Sequence, residues 1–345
     1  MKKLKFFTFV LFLISLLPLA RAADATTTFL DVPRTDGQFL SIQYFTEQKV
    51  VNGYADNTFK PENPINRAEA LKLILANAGA RLPTTLNQPP FSDVKLEDWF
   101  APYAAAGLNL NIVSGDGDSK TFSAGRQVNK AELLKMLFAA HKVKVPAVAE
   151  DQVARFSDVP ADTWFAPILH HAASLGIIAP SASGLLRPAQ PLTRGEVIEI
   201  LYLFELIRKG NDTQFLLDQT EKHLNQIEIY VAANRVDLAK KTSKLGVDLS
   251  QQTMKNLPGN NVVLGAAKLA RAYDFLVDAF RLGTERKFIE AAENANGAIV
   301  KAGEAWQANN ATQPIAKHIK DRAREILAQV GGIEWPNGQP PAKEN

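Results

Sequence analysis

Phe91-Ser92-Asp93-Val94 and Asn129-Lys130-Ala131-Glu132, with Trp99-Phe100-Ala101-Pro102 between them, are the segments that decide the fold. Each has counterparts elsewhere in the chain. Phe29-Leu30-Asp31-Val32 and Phe156-Ser157-Asp158-Val159 match the first; Asn66-Arg67-Ala68-Glu69 and Thr193-Arg194-Gly195-Glu196 match the last. From the Asp to the Asn or Thr the separations are 35, 36 and 35 residues, and the Asp-to-Asp steps are 62 and 65. Two motifs that keep register over three copies define an internal repeat, each copy one supersecondary unit.

Each copy reads as helix, loop, helix. Pro102 and Pro167 suit a first helical turn, where the missing N–H is not needed. The first helix is expected to end near Val50-Val51, Ile112-Val113 or Ile177-Ile178, ahead of a polar loop such as Gly53-Tyr54-Ala55-Asp56-Asn57 or Gly115-Asp116-Gly117-Asp118. Asn66, Asn129 and Thr193 then stand as N-caps with Glu69, Glu132 and Glu196 three residues on, which is capping-box spacing. Leu71/Ile74/Leu75, Leu134/Leu137/Phe138 and Ile198/Leu201/Tyr202 continue as apolar stripes at i, i+3, i+4. A helical pair of this size cannot bury its own stripe, so the three copies are expected to pack together. The fold class is all-α, with boundaries at residues 27–80, 90–142 and 155–208.

Outward from the repeats, the N-terminus reads as an export signal. Lys2, Lys3 and Lys5 precede an apolar run from Phe6 to Leu19, then Ala20-Arg21-Ala22. This predicts a signal peptide over residues 1–22 with cleavage after Ala22, the run being short of the roughly 20 residues of a spanning helix. The formal charge of +3 belongs to that segment. Its removal takes away four of the 39 basic residues and none of the 36 acidic ones, leaving a net charge of −1. A nucleic-acid partner therefore loses its electrostatic support, and no transmembrane segment is expected after cleavage. The absence of Cys excludes disulfides, thiolate metal sites and thiol catalysis.

The Phe-x-Asp-Val…Trp-Phe…Gly…Phe-x-Pro…Thr-Arg-Ala-Glu pattern resembles the S-layer homology domain, over about residues 27–208. The resemblance implies three helical-hairpin repeats packed as a pseudo-threefold spindle with grooves between them. It also implies a secreted protein of the cell surface, cell wall or S-layer, whose grooves bind secondary cell-wall polysaccharide, often pyruvylated, without a covalent bond. Peptidoglycan-linked polymer and other envelope proteins are the further partners considered.

Arg67, Lys130 and Arg194 place a cation at the first helical position, against the helix dipole, which typically costs about 0.3–1 kcal/mol when exposed. A compensating anion is therefore expected at each. The residues leave two readings open: an internal salt bridge to Asp31, Asp93 or Asp158, or an anionic ligand at a helix N-terminus with free N–H groups. The resemblance favours the ligand. The three aspartates are also candidates to cap the first helix or hold the turn. Trp99 and Trp164 read either as sugar-stacking platforms or as core aromatics. Gly53 and Gly115 read as sites of positive φ, as close approaches to a sugar, or as plain turn residues. The pattern is broken by Gly37 at the Trp position of repeat one, Lys130 for Arg in repeat two, and Pro180 for Gly, Leu186 for Phe and Gly195 for Ala in repeat three. Not every groove is thus expected to bind, the one using the loop after Ile178 least of all.

No cofactor or metal is expected. His141, His170, His171, His223 and His318 lack ligand spacing, and Asp116-x-Asp118 is too short for a calcium loop. Leu82-Pro83-Thr84-Thr85 lacks the remaining features of a sortase signal. Residues 211–330 change character, with stripes Leu217/Leu224/Ile227/Val231, Ala270/Tyr273/Val277/Phe280, Phe288/Ala292/Ala295/Ile299/Ala302/Trp306 and Ile315/Ile319/Ala323/Ile326/Val330. A weaker helix, interrupted by Gly246, is expected over Val236–Leu249. Together these predict a four- or five-helix bundle, followed by a flexible tail over 331–345. From residue 211 onward 17 basic residues face 16 acidic ones, so no charged partner is advertised. The chain is therefore read as a non-enzymatic surface protein that displays the bundle. One alternative is an exported carbohydrate-active enzyme with the bundle catalytic, drawing on Glu285, Glu290, Glu293 and Glu304. Another is an envelope tether gripping peptidoglycan, whose usual β-barrel partner needs strands that this half lacks.

Overall fold

The computed structural model describes residues 29–116, 120–149 and 155–335. The expected signal peptide, Asp118 and the tail from residue 336 lie outside them. The described residues form eleven α-helices and no sheet, and fall into two compact units.

The repeat unit comprises residues 28–33 and 41–207. Each repeat supplies a short first helix and a longer second one: α1 Phe39–Glu47 and α2 Arg67–Asn77, α3 Ala101–Asn109 and α4 Lys130–Ala140, α5 Ala166–Ser174 and α6 Arg194–Arg208. Pro102 and Pro167 lie in the first turns of α3 and α5. Left-handed residues stop the first helices, Lys49, Asn111 and Gly176, with φ of 57°, 56° and 76°. The second helices start at capping boxes. Asn66 and Asn129 accept from the N–H of Glu69 and Glu132, whose carboxylates return to the cap N–H. Thr193 and Glu196 make the same exchange at 3.3 and 2.8 Å.

The three repeats meet in a closed ring of backbone bonds just before these caps. Ile65 N–H donates to Leu192 O at 3.2 Å, Leu192 N–H to Val128 O at 3.1 Å, and Val128 N–H to Ile65 O at 3.3 Å. Their side chains are 1%, 1% and 0% exposed. This is the pseudo-threefold axis of the spindle. The ring recurs one step outward, where the first two N–H groups of each second helix are taken by the next repeat. Arg67 and Ala68 donate to Arg126 O and Ala124 O, Lys130 and Ala131 to Gln190 O and Pro188 O, and Arg194 and Gly195 to Asn63 O and Pro61 O. Helix-end donors that would otherwise need water are satisfied by protein.

The helical unit contains five helices: α7 Thr213–Ala232, α8 Val236–Asn256, α9 Asn261–Thr284, α10 Phe288–Ala308 and α11 Gln313–Val330. Asp212 and Asn260 cap α7 and α9, and Gly331 at φ 74° ends α11. The long α9 packs against the other four, over a core that includes Tyr273, Val277, Phe280, Ala298, Ala302, Ile319 and Ala323. Gly246 does not interrupt α8. It is buried within a continuous 21-residue helix, where a Cβ would only reach contact distance of Ala270. Phe288 and Trp306, the ends of one expected core stripe, are exposed.

The unit also includes Arg34–Leu40, from far upstream. Gln226 Nε2 donates to Arg34 O at 2.6 Å, Tyr230 Oη to Asp36 O at 2.8 Å and Arg235 to Thr35 O at 3.3 Å. This differs from an unbroken first repeat over 27–80 and a bundle confined to 211–330.

Because the axis residues are fully packed, Ile65→Ala, Val128→Ala and Leu192→Ala are each expected to lose about 2–4 kcal/mol. Urea unfolding of the full chain followed by circular dichroism measures this; a loss below 1 kcal/mol at all three positions contradicts a shared central core.

Candidate functional site

The axis places the first residue of each second helix at a junction with the next repeat. Arg67 reaches repeat two, where its Nη2 donates to Ser114 O at 3.3 Å and its guanidinium lies 5.6 Å from the Phe122 ring centroid. Arg194 reaches repeat one, donating from Nη2 to Asn52 O at 2.9 Å, over the rings of Phe59 at 4.5 Å and Tyr54 at 5.5 Å. Lys130 reaches repeat three and donates from Nζ to Leu186 O at 2.8 Å. Two of the sequence departures thus belong to one junction. All three cations donate to a loop carbonyl; the planar guanidiniums also stack on an aromatic face, a contact that the ammonium beside Leu186 lacks.

The cations are more buried than first-turn residues usually are. Arg67 is 7% exposed. Burial pushes the Arg67, Lys130 and Arg194 side chains below their ordinary pKa values, partly offset at Arg67 by Asp116. Asp116 lies 4.0 Å from Arg67 and 3.5 Å from Arg126, which is also paired with Glu132 at 2.9 Å. Among the described residues, no carboxylate comes within ion-pair range of Lys130 or Arg194. The Nε atoms of Arg67 and Arg194 are buried without a hydrogen-bond partner there. A buried cation facing neutral carbonyls and a ring is incompletely compensated.

Asp31, Asp93 and Asp158 form no ion pair with these cations, although Asp158, with Glu196, favours the charged form of Lys130 from a distance. Asp31 accepts from Phe59 N–H and Lys60 N–H, both at 2.7 Å. Asp93 accepts from Phe122 and Ser123 at 2.7 and 2.8 Å, and Asp158 from Leu186 and Arg187 at 3.1 and 2.6 Å. The second residue of each pair is left-handed, with φ of 57°, 57° and 55° at Lys60, Ser123 and Arg187. That conformation costs an L-residue roughly 1–2 kcal/mol, and the carboxylate clamps it. The aspartates hold the turn, and they do so in their own repeat. Nor are the helix N-termini open to an anion, since their first N–H groups bond the neighbouring repeat.

Trp99 and Trp164 are 53% and 54% exposed, so neither is core. Each lies beside an ammonium from the preceding repeat: Lys72 Nζ is 5.6 Å from Trp99 and 5.9 Å from Tyr103, and Lys135 Nζ is 5.0 Å from Trp164. Lys72 and Lys135 were missed by the sequence reasoning. Their signal was available as a cation five positions after Arg67 and Lys130. Neither Gly53 nor Gly115 has positive φ. A Cβ on Gly53 would run into the Phe29 ring and Thr58 O, and one on Gly115 into the Lys120 backbone. The close approach is made by the protein's own loop. Among the described residues no cluster of three or more metal-ligating side chains occurs, and no helix is long and apolar enough to cross a membrane.

Comparison with known proteins bears on the repeats. The family model for the S-layer homology domain matches residues 28–71, 90–134 and 155–198. S-layer protein EA1 of Bacillus anthracis is 29% identical over 182 residues, 52% of this chain and 20% of that protein. An uncharacterized cell wall amidase of Bacillus anthracis is 30% identical over 174 residues, 50% of this chain and 31% of its own length. The exoglucanase XynX of Acetivibrio thermocellus is 26% identical over 174 residues, 50% and 15% respectively. The chain thus covers less than a third of each of these relatives.

Removing one clamp tests the turn role. Asp93→Ala forfeits two charge-assisted bonds and is expected to destabilise the chain by about 3 kcal/mol, with amide exchange accelerating at Phe122 and Ser123. Unchanged exchange at both contradicts the clamp.

Proposed function

The chain carries three S-layer homology domains and is a secreted protein of the cell surface; from this premise we propose that its grooves bind an anionic secondary cell-wall polysaccharide, possession of which fixes the protein to the envelope. The observation that supports this most is the trio of incompletely compensated cations, Arg67 buried and Lys130 and Arg194 half-buried, one at every junction. Each lacks a full counter-charge that an acidic substituent of a polymer, such as a pyruvyl ketal carboxylate, supplies. Trp99 and Trp164 add flat exposed faces for the apolar side of a pyranose, with Lys72 and Lys135 beside them as further cations. Gly53 and Gly115 keep the adjoining loops tight. Asp31, Asp93 and Asp158 hold those loops in shape and act on the ligand only through them.

In this reading the protein is not an enzyme, and its helical unit is displayed or meets other envelope components. Of the acidic residues considered for catalysis, Glu285 pairs with Arg281 and Lys287 at 2.7 Å each, and Glu304 with Lys301 at 2.6 Å and with Lys268. Carboxylates held in surface ion pairs lie below the usual carboxylate range, as at Glu285 and Glu304, opposite to the raised value a general acid needs.

Co-sedimentation of the full chain with purified walls tests the binding. Retention is expected on untreated walls, to weaken with salt, and to vanish after acid extraction of secondary polysaccharide. The Arg67→Gln/Lys130→Gln double variant is expected to lose at least tenfold in affinity while keeping its helical circular dichroism. Undiminished retention of that variant, or retention on extracted walls, overturns the reading.

A further inference from the structure

The three junctions are not equivalent. The first carries Arg67, Lys72 and Trp99; the second, which uses the loop after Ile178 and was the least expected to bind, nevertheless keeps Lys130, Lys135 and Trp164. The same register puts Arg194, Glu199 and Gly37 at the third. There both members of the exposed pair have changed: the ring is lost at Gly37, and the ammonium is replaced by a carboxylate at Glu199. Opposite charge at one position and a missing side chain at its counterpart remove the stacking face and the second cation together.

The segment bearing Gly37 has meanwhile acquired other partners. Residues Arg34–Leu40 belong to the helical unit. Side chains of α7 and the α7–α8 turn take three successive carbonyls, those of Arg34, Thr35 and Asp36. Tyr230, one of these donors, is 2% exposed. A Cβ on Gly37 would lie 3.1 Å from Leu238 Cδ2, tighter than ordinary packing. A side chain in that place needs Leu238 of α8 to give way. The Gly37 departure is therefore a fit to the helical unit as well as a loss from the repeat.

We propose that the chain grips its polymer at two junctions only, those of Trp99 and Trp164, and that the third has exchanged polymer binding for a structural role in which Arg34–Leu40 completes the helical unit. This rests on the polysaccharide reading above and narrows it: Arg194 remains as a cation that stacks on Phe59 and Tyr54 and ties repeats three and one together. Two-site engagement of a repeating polymer gives avidity through effective concentration, so loss of either site costs far more on intact walls than on a short fragment.

The test uses the full chain and short oligosaccharides released from the producing cell's own wall polysaccharide, titrated calorimetrically. Two sites per chain are expected for the unaltered protein, one for Trp99→Ala or Trp164→Ala, and none for the double variant. On intact walls each single variant is expected to lose at least tenfold. Three sites in the unaltered chain, or residual binding by the double variant, overturns the two-junction assignment while leaving the polysaccharide reading intact. Absence of any binding by the unaltered chain sinks both. The structural half is read without ligand, by hydrogen exchange of the Gln226→Ala/Tyr230→Phe variant. Amides across 34–40 are expected to exchange at least tenfold faster while those in the middle of α9 keep their protection. Unchanged exchange at 34–40 shows that the helical unit does not hold the segment.

Discussion

The ring of three backbone hydrogen bonds through Ile65, Val128 and Leu192 is the constraint from which the repeat unit follows. Once it closes, each second helix must begin beside the loop of the next repeat, and its first two N–H groups are spent there. The side chain at that first position is consequently carried into a junction, whatever its chemistry. Placing a cation there runs against the helix dipole and against burial. Close at hand the protein offers neutral carbonyls and aromatic faces, with Asp116 4.0 Å from Arg67, and carboxylates beyond ion-pair range, Glu196 and Asp158 for Lys130 and Glu69 for Arg194, offset the burial in part. A three-times-repeated residue that opposes two electrostatic terms is hard to explain by stability alone. In the proposed reading the site is a by-product of the geometry that holds the repeats together, so that binding and folding share the same residues.

Local patterns carried the fold into view. The cap at Asn129 with Glu132 is complete within four residues, and the prolines of α3 and α5 act within one turn, so periodicity and spacing suffice to place them. The continuous α8 was missed because Gly246 is a breaker by propensity, whereas in the bundle a small residue lets α8 lie close to Ala270 of α9. Tertiary packing overrides a cost of about 1 kcal/mol.

The residues at the junctions were legible in the sequence, but their pairings were not. Asp93 looked available to answer Lys130 or Arg67 because charge is visible in sequence. Its actual partners are two backbone N–H groups some 30 residues away, and backbone donors leave no compositional trace. Lys130 and Leu186 stand 56 residues apart and read as unrelated lapses from the pattern; in space they are one contact. Gly37 likewise looked like a simple deletion. Its meaning depends on Leu238, about 200 residues downstream, which no spacing argument connects to it.

That long-range dependence also bears on what counts as a domain here. A cut near residue 208 separates the repeats cleanly along the chain, yet it removes Arg34–Leu40 from the side chains that bind its carbonyls. Gln226 and Tyr230, both nearly inaccessible, would lose those acceptors, at a net cost of about 0.5–1.5 kcal/mol for each hydrogen bond. The opposite cost, closing a loop of nearly 200 residues in the intact chain, grows only logarithmically with length, by about 0.6 kcal/mol per doubling. An isolated C-terminal fragment is accordingly not the unit that the intact chain folds.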